Sequence, residues 1–260
     1  DEVSEKYNAV VELHVPSSKA METSLSSLFE YAAFVNADGI IAYTDEETDS
    51  LFPPLKSDGT EIPVVTVGRY NQAIPQISFI GNNYSESGRL LARTTIEMYK
   101  PEYDLYVLSS AAKNSNYSTL LNTLTQTLKN NSLSPVILEG TALEIEESIS
   151  KILLNNMSNP SLIVCLTEED SIRTSQLAAN TLSREDNIII SFGENETINT
   201  YLKKGIIKRV ISVDQENTGA RALKELFDYK KNNFANNYVY AGLKIKKGEN
   251  EKWNFLLSLV

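Results

Sequence analysis

The chain of 260 residues holds a single cysteine, Cys165, and a single histidine, His14. One cysteine forms no internal disulfide, and one histidine beside it cannot assemble a Cys/His zinc site. A site of carboxylate oxygens for calcium or magnesium stays open. No G-x-G pair and no Gly-Lys-Ser/Thr occur, which removes the usual phosphate cradles and with them any expected nucleotide cofactor. No G-x-S-x-G elbow occurs either, and the lone histidine sits inside an apolar run, so Ser-His hydrolysis is not expected. No eighteen-residue apolar run is present, and hence no segment reads as a membrane-spanning helix. The chain opens Asp1-Glu2-Val3-Ser4-Glu5 rather than with a basic and then apolar leader, so a cytosolic protein or a mature or excised soluble part is expected.

Basic groups are also in short supply. Twenty-four Lys and Arg stand against thirty-four Asp and Glu, a net charge of −10, which argues against a nucleic-acid partner. Residues 1–82 hold 4 basic and 13 acidic side chains (−9), residues 201–260 hold 12 and 6 (+6), and residues 83–200 therefore carry −7. Such asymmetry reads as solvated faces, with a docking surface as the alternative. Apolar residues at 42% and charged residues at 22% are ordinary globular usage. The length suits one large or two small compact units. No Gly/Ser-rich or Pro-rich tether interrupts them.

Short apolar runs alternate with helical stripes along the whole chain. Strands are expected at Tyr7–Pro16, Ile40–Tyr43, Ile62–Val67, Ile77–Ile80, Leu105–Leu108, Val136–Leu138, Leu162–Leu166, Ile188–Phe192, Val210–Val213 and Val239–Lys246. Between them, Met21, Leu25, Leu28, Phe29 and Ala32 form one helical stripe, and Leu120, Leu121, Leu124 and Leu128 another. Ser85–Tyr99 reads as a helix capped by Ser85; Ile145, Ile149, Ile152 and Leu153, the stretches around 171–182 and 196–204, and Gly219–Lys231 supply the rest. This grammar is α/β: parallel sheets with helices on both faces. Ligands of such sheets bind beyond the carboxyl ends of the strands, which directs attention to the loops just after each apolar run.

Glu168-Glu169-Asp170 and Asp45-Glu46-Glu47 could serve as acid/base pairs or cation ligands, but neighbouring carboxylates more often solvate loop tips. His14 is expected as a hydrogen-bonded sheet residue and Cys165 as a buried small hydrophobe. Lys244, Lys246 and Lys247 follow strand spacing and suit an edge strand guarded against aggregation.

The ordered loops resemble those of the type I periplasmic sugar-binding proteins, whose fold is shared with the effector domains of lac-repressor-type regulators. Ala37-Asp38-Gly39-Ile40-Ile41 is similar to the family's "DGII" strand. Ile62–Arg69 resembles its "IPVV" strand, Asn82–Gly88 its "DN…G" crossover, and Val210–Asp214 with Gly219 its return strand. The resemblance covers about residues 7–246. It implies two similar lobes with a ligand cleft between them, residues 1–82 plus 215–241 forming one and 83–214 plus 242–260 the other. It also implies a ligand site holding Arg69, Asn83, Tyr117, Glu168, Glu169, Glu194 and Asp214, with Tyr43, Tyr70 or Tyr117 as stacking platforms.

Departures from the pattern are large. Gly68, Tyr117 and Gly193 replace groups that bind the sugar in the family, and Tyr7–Pro16 matches its second strand, so the opening strand-helix unit is unaccounted for. That unit lies upstream, or the apolar tail Lys252–Val260 takes its place. The implied function is capture of a sugar-like small molecule by lobe closure, outside the cytoplasm and without cofactor, metal or catalysis, for a membrane transporter or sensor. The competing readings are a sensory domain cut from a larger membrane receptor and an α/β enzyme of unrecognised type using Glu168, Glu169 or Asp214.

Overall fold

A computed structural model describes residues 5–14, 25–44, 51–68, 70–110, 115–154, 159–180, 186–214 and 217–248. The chain separates into two compact units, Asp1–Asn82 with Gln215–Gly242, and Asn83–Asp214 with Leu243–Val260.

In the first unit, β1 (Ile40–Thr44), β2 (Val64–Gly68), β3 (Ser78–Gly81) and β9 (Tyr238–Tyr240) form a wholly parallel sheet in that order. One face packs Ala42 and Val64 against Phe29 of α1 (Leu25–Phe34) and against Ile74. The opposite face packs Val65 and Ile80 against Ala222 and Leu226 of α7 (Thr218–Asn232). Residues that alternate along β2 thus serve two different cores, as they must in a sheet covered on both sides.

The second unit is larger. Its sheet runs β10 (Leu243–Lys247), β8 (Ile207–Val213), β7 (Ile188–Phe192), β6 (Ser161–Cys165), β4 (Asp104–Ser109), β5 (Val136–Glu139). All neighbours are parallel except β10, which runs antiparallel to β8 from Leu243 opposite Val213 to Lys247 opposite Arg209. Leu162 and Val164 of β6 face the layer of α2 (Tyr84–Met98) and α3 (Ser115–Asn130), where Leu91, Leu120, Leu124 and Leu128 are fully buried. Ile163 and Cys165 face α4 (Ala142–Leu154) and α6 (Glu196–Lys203) through Ile145, Ile149, Leu153, Ile198 and Leu202. Each large aliphatic side chain buried here contributes roughly 1.5–3 kcal/mol. α5 (Glu168–Asn180) covers the same face, but its buried residues are Asp170, Ser171, Thr174 and Ser175, all polar.

Three expectations need correction. Tyr7–Pro16 is not a strand over its described part: residues 9–14 form no ladder, and Val10, Val11 and Leu13 are exposed. Among the described residues β1 pairs with β2 alone, and residues 9–14 pair with no strand. His14 is accordingly no sheet residue; it lies beside Glu12, 3.5 Å away, and against the ring of Tyr31. Val239–Lys246 is not one strand but two, β9 and β10, in different sheets, because the chain changes unit at Gly242. The cap of α2 is Asn83 rather than Ser85. Met21 and the tail from Lys252 lie outside the described residues.

Gly88 explains itself by packing. A Cβ there would meet the Leu120 carbonyl oxygen at 2.7 Å and the Leu124 nitrogen at 3.1 Å, so α2 and α3 approach this closely only over glycine. Gly88→Ala is expected to destabilise the fold by about 1–3 kcal/mol through overpacking against backbone, read as a lower denaturation midpoint with an unchanged slope. A midpoint equal to that of the parent would contradict the close approach.

Candidate functional site

Polar residues gather at and just beyond the carboxyl ends of β4, β6, β7 and β8. α5 starts directly after β6, and Thr167 caps it, its hydroxyl accepting from the Asp170 N–H at 3.0 Å. This is half of a capping box; the acidic third residue does not return to the cap but accepts from the Ser110 N–H at 3.2 Å, tying the β4 loop to α5. Asp170 is fully buried and its second oxygen, Oδ1, has no hydrogen-bond partner; the same holds for the buried hydroxyl of Ser109. Ser171 and Ser191 bridge the helix to β7 through a 2.8 Å hydroxyl contact.

Glu168 and Glu194 meet. The Glu168 carboxylate accepts from the Glu194 N–H at 3.2 Å and from Asn195 Nδ2 at 2.7 Å, clamping the loop after β7 onto the start of α5. Gly193 makes this possible: its φ is +96°, and a Cβ would come within 2.5 Å of Glu168 Cγ. The volume that a side chain at 193 would use is filled by Glu168.

Glu194 in turn accepts from Ser212 Oγ at 2.7 Å and Asn199 Nδ2 at 3.0 Å, and it is paired with Lys246. Burial pushes its carboxyl up, but the Lys246 ammonium, with Asn199 and Ser212, outweighs that and holds it at about 2. Two residues along β10, Lys244 pairs with Asp214 at 3.0 Å. The lysines of this edge strand therefore neutralise the two carboxylates at the ends of β7 and β8.

The remaining expected residues go elsewhere. Glu169 is bound to Arg173 at 2.8 Å, which also holds Glu146 of α4 at 2.8 Å. They line a groove of about 690 Å³ on the α4–α5–α6 side together with Gln176, Asn180 and the clamp residues Glu168 and Asn195. Asn83 spends its side-chain oxygen on the Glu86 N–H at 3.1 Å. Tyr117 packs edge-on to Tyr84, ring centroids 5.8 Å apart, joining the first turns of α2 and α3. Arg69 lies outside the described residues, as do Asp45, Glu46 and Glu47. In the first unit Tyr43 is exposed, and Tyr70 joins a ring cluster with Phe79 and Tyr238. The sequence reading weighs Asp170 with its neighbouring carboxylates as a solvated loop tip and leaves Asp170, Ser109 and Ser110 out of the expected site. The signal was there, in a helical stripe of Asp170, Ser171, Thr174 and Ser175 where an inward face should be apolar. No group of three or more metal-ligating side chains occurs among the described residues.

The fold has counterparts among solved structures. A sugar-binding protein of a sugar ABC transporter from Bacillus halodurans matches with a TM-score of 0.76 at 18% identity, over 96% of this chain and 90% of its own. Its fold is that of the type I periplasmic sugar-binding proteins. GanP, a glucose-galactose binding protein from Geobacillus stearothermophilus, is similar with a TM-score of 0.73 at 16% identity, over 96% of this chain and 90% of that one. A XylFII–LytSN complex matches with 0.69 at 20% identity and the same coverage, 96% and 90%. No protein-family model and no curated protein matches the sequence.

The Glu194 cluster makes stability depend on acid. Its folded carboxyl lies near 2 against an ordinary 4.5, so its contribution is complete above about 4.5 and is lost as pH falls toward 2. After allowance for partial exposure this amounts to about 1–2 kcal/mol. Chemical denaturation at pH 7 and pH 3 is expected to show Glu194→Gln losing less stability than the parent across that interval. An equal loss in both proteins would contradict it.

Proposed function

We propose that this protein is a solute-binding protein for a sugar or related polyol, held at the carboxyl ends of the strands and enclosed by closure of two lobes formed by residues 1–82 with 215–241 and 83–214 with 242–260. The observation that carries this is the composition of the strand ends in the second unit. β6 and β7 are buried throughout, whereas Ser109, Asp170, Glu194, Ser212 and Asp214 gather where they and their neighbours stop. Carboxylates and hydroxyls anchored in this way accept from and donate to vicinal hydroxyl groups. A cation or amide already fastens Glu168, Glu169, Glu194 and Asp214 in place, which suits fixed acceptors better than groups that must exchange protons during a reaction. The fold supports the same reading, since matching structures include a glucose-galactose binding protein and a solute-binding protein in complex with D-arabinose.

In this reading the ligand shifts the protein toward its closed form by the difference in its affinity for the closed and open forms, and a membrane transporter outside the cytoplasm reads the closed shape. Arg69 supplies a forked donor and Asp214 a two-oxygen acceptor. Asn83 and Tyr117, at the starts of α2 and α3, are assigned to the second lobe's side of the site. A second reading, an extracytoplasmic sensory domain that passes closure to a larger receptor, draws support from the match to a structure solved as a XylFII–LytSN complex.

Thermal-shift screening against aldopentoses, aldohexoses and polyols tests the proposal. At one hundred times Kd a bound solute adds about 2.7 kcal/mol, a shift of several degrees. Arg69→Ala and Asp214→Ala are expected to abolish that shift while leaving unliganded melting nearly unchanged, because the Asp214–Lys244 pair is partly exposed and worth ~0–1 kcal/mol. Shifts that persist in both variants would remove these residues from the site, and an unresponsive parent would remove sugars as the ligand class.

A further inference from the structure

A cavity of about 350 Å³ opens at the amino ends of β4 and β5 in the second unit. It lies at the other end of β4 from Ser109, roughly 16 Å away along a strand of six residues. Its walls follow from the way α2 hands over to β4. Pro101 stops the helix, since the residue ahead of a proline is held out of the helical region, and Tyr99 is already extended at φ −71°, ψ 140°. The Tyr103 N–H then donates to the Lys100 carbonyl at 2.9 Å, a tight turn that leads into β4. Tyr99, Tyr103, Asp104 and Tyr106 thus fall within eight residues, and all four line the cavity. Leu133, tied back to the end of α3 by its N–H bond to the Leu128 carbonyl at 3.0 Å, and Val136, the register partner of Tyr106, supply the facing wall. The whole lining belongs to residues 99–106 and 133–136, all of them described.

Charge in these two stretches is negative, with Glu102 and Asp104 against one cation, Lys100, whose ammonium stands 6.0 Å from the centroid of the Tyr103 ring. The Asp104 carboxylate is half-buried and accepts from Asn159 Nδ2 at 3.4 Å, a long contact with a neutral donor. The Tyr106 phenol registers the field, because burial first and the Asp104 charge second push it upward. A potential that opposes a phenolate favours a cation by the same sign, and tyrosine ring faces attract a cation that comes within ~6 Å of their centroids. A neutral solute gains little from that potential, and an anion is repelled by it.

We propose that this cavity binds a small organic cation, an ammonium group on a short alkyl stem, with Asp104 as its counter-ion, Tyr99, Tyr103 and Tyr106 as aromatic walls, and Leu133 and Val136 against the stem. The volume lies at the low end of the ~300–1,000 Å³ usual for small-molecule sites, which matches a ligand of a few carbon atoms. The counter-ion is held in advance, because the Asp104 N–H donates to the Pro160 carbonyl at 2.9 Å and the residue opens a strand paired on both sides. A group fixed in this way loses little freedom on binding. The site shares no residue with the cluster at the carboxyl ends and does not rest on the solute reading.

Amide NMR on the isotope-labelled full chain tests the proposal with choline as the probe. Its uncharged carbon isostere, neohexyl alcohol, and sodium chloride at equal concentration are the controls. Choline is expected to give saturable shifts at the amides of residues 103–106 and 136, with the isostere binding about tenfold more weakly and sodium chloride giving no saturable change. Asp104→Asn, which keeps the size of the side chain, is expected to raise the choline dissociation constant about tenfold, and Tyr99→Leu about threefold, each with a parent-like amide spectrum elsewhere. Shifts that do not saturate, equal binding of choline and the isostere, or choline binding indifferent to Asp104→Asn would overturn the inference. So would saturable shifts of these amides by a neutral sugar but not by choline.

Discussion

A sheet buried on both faces leaves its strands only their ends for chemistry. In the second unit Ser161–Cys165 and Ile188–Phe192 have no residue open to water, and their side chains alternate between two cores, one under α2 and α3 and the other under α4, α5 and α6. A polar group placed mid-strand would have to be desolvated without compensation, at a cost of ~1–3 kcal/mol on the evidence of protein mutations. Polar residues collect instead where the strands give way to loops and helix starts. Ser109, Ser110, Thr167, Gly193, Glu194 and Asp214 all occupy such positions.

These groups are anchored to one another before any solute arrives. Thr167 caps α5, Asp170 ties α5 to the loop after β4, Glu168 ties it to the loop after β7, and Lys246 and Lys244 of β10 neutralise Glu194 and Asp214. The antiparallel edge strand thus does more than blunt the sheet. Its lysines pair with the carboxylates at two neighbouring strand ends. Acceptors fixed in this way lose little freedom when a ligand binds, and preorganisation of that kind favours affinity.

Much of the architecture could be read directly from residue order. Leu162–Leu166 is an unbroken apolar run of strand length, Ile188–Phe192 is broken only by Ser191, and Leu120, Leu121, Leu124 and Leu128 mark one face of a helix; periodicity and length suffice for both. Tyr7–Pro16 has the same composition, but a strand exists only where a neighbour accepts its hydrogen bonds, and composition carries no information about that neighbour. Val239–Lys246 alternates smoothly through a point where the chain passes from one sheet to another, since a crossover of two residues leaves no gap in the pattern. From sequence the candidate residues fall in the loops after the strands, but Asn83, Glu168 and Glu194 make local bonds that only three-dimensional neighbours reveal. Asp170 reads from sequence as part of a solvated loop tip because two carboxylates precede it, whereas the helix turns it inward.

The central proposal is that two lobes draw together around a solute. Small-angle X-ray scattering on the same protein sample, alone and with a saturating sugar whose binding is established by calorimetry, measures this directly. The account predicts a smaller radius of gyration in the presence of the sugar and no such change for Asp214→Ala. Superimposable scattering curves with bound sugar would contradict it.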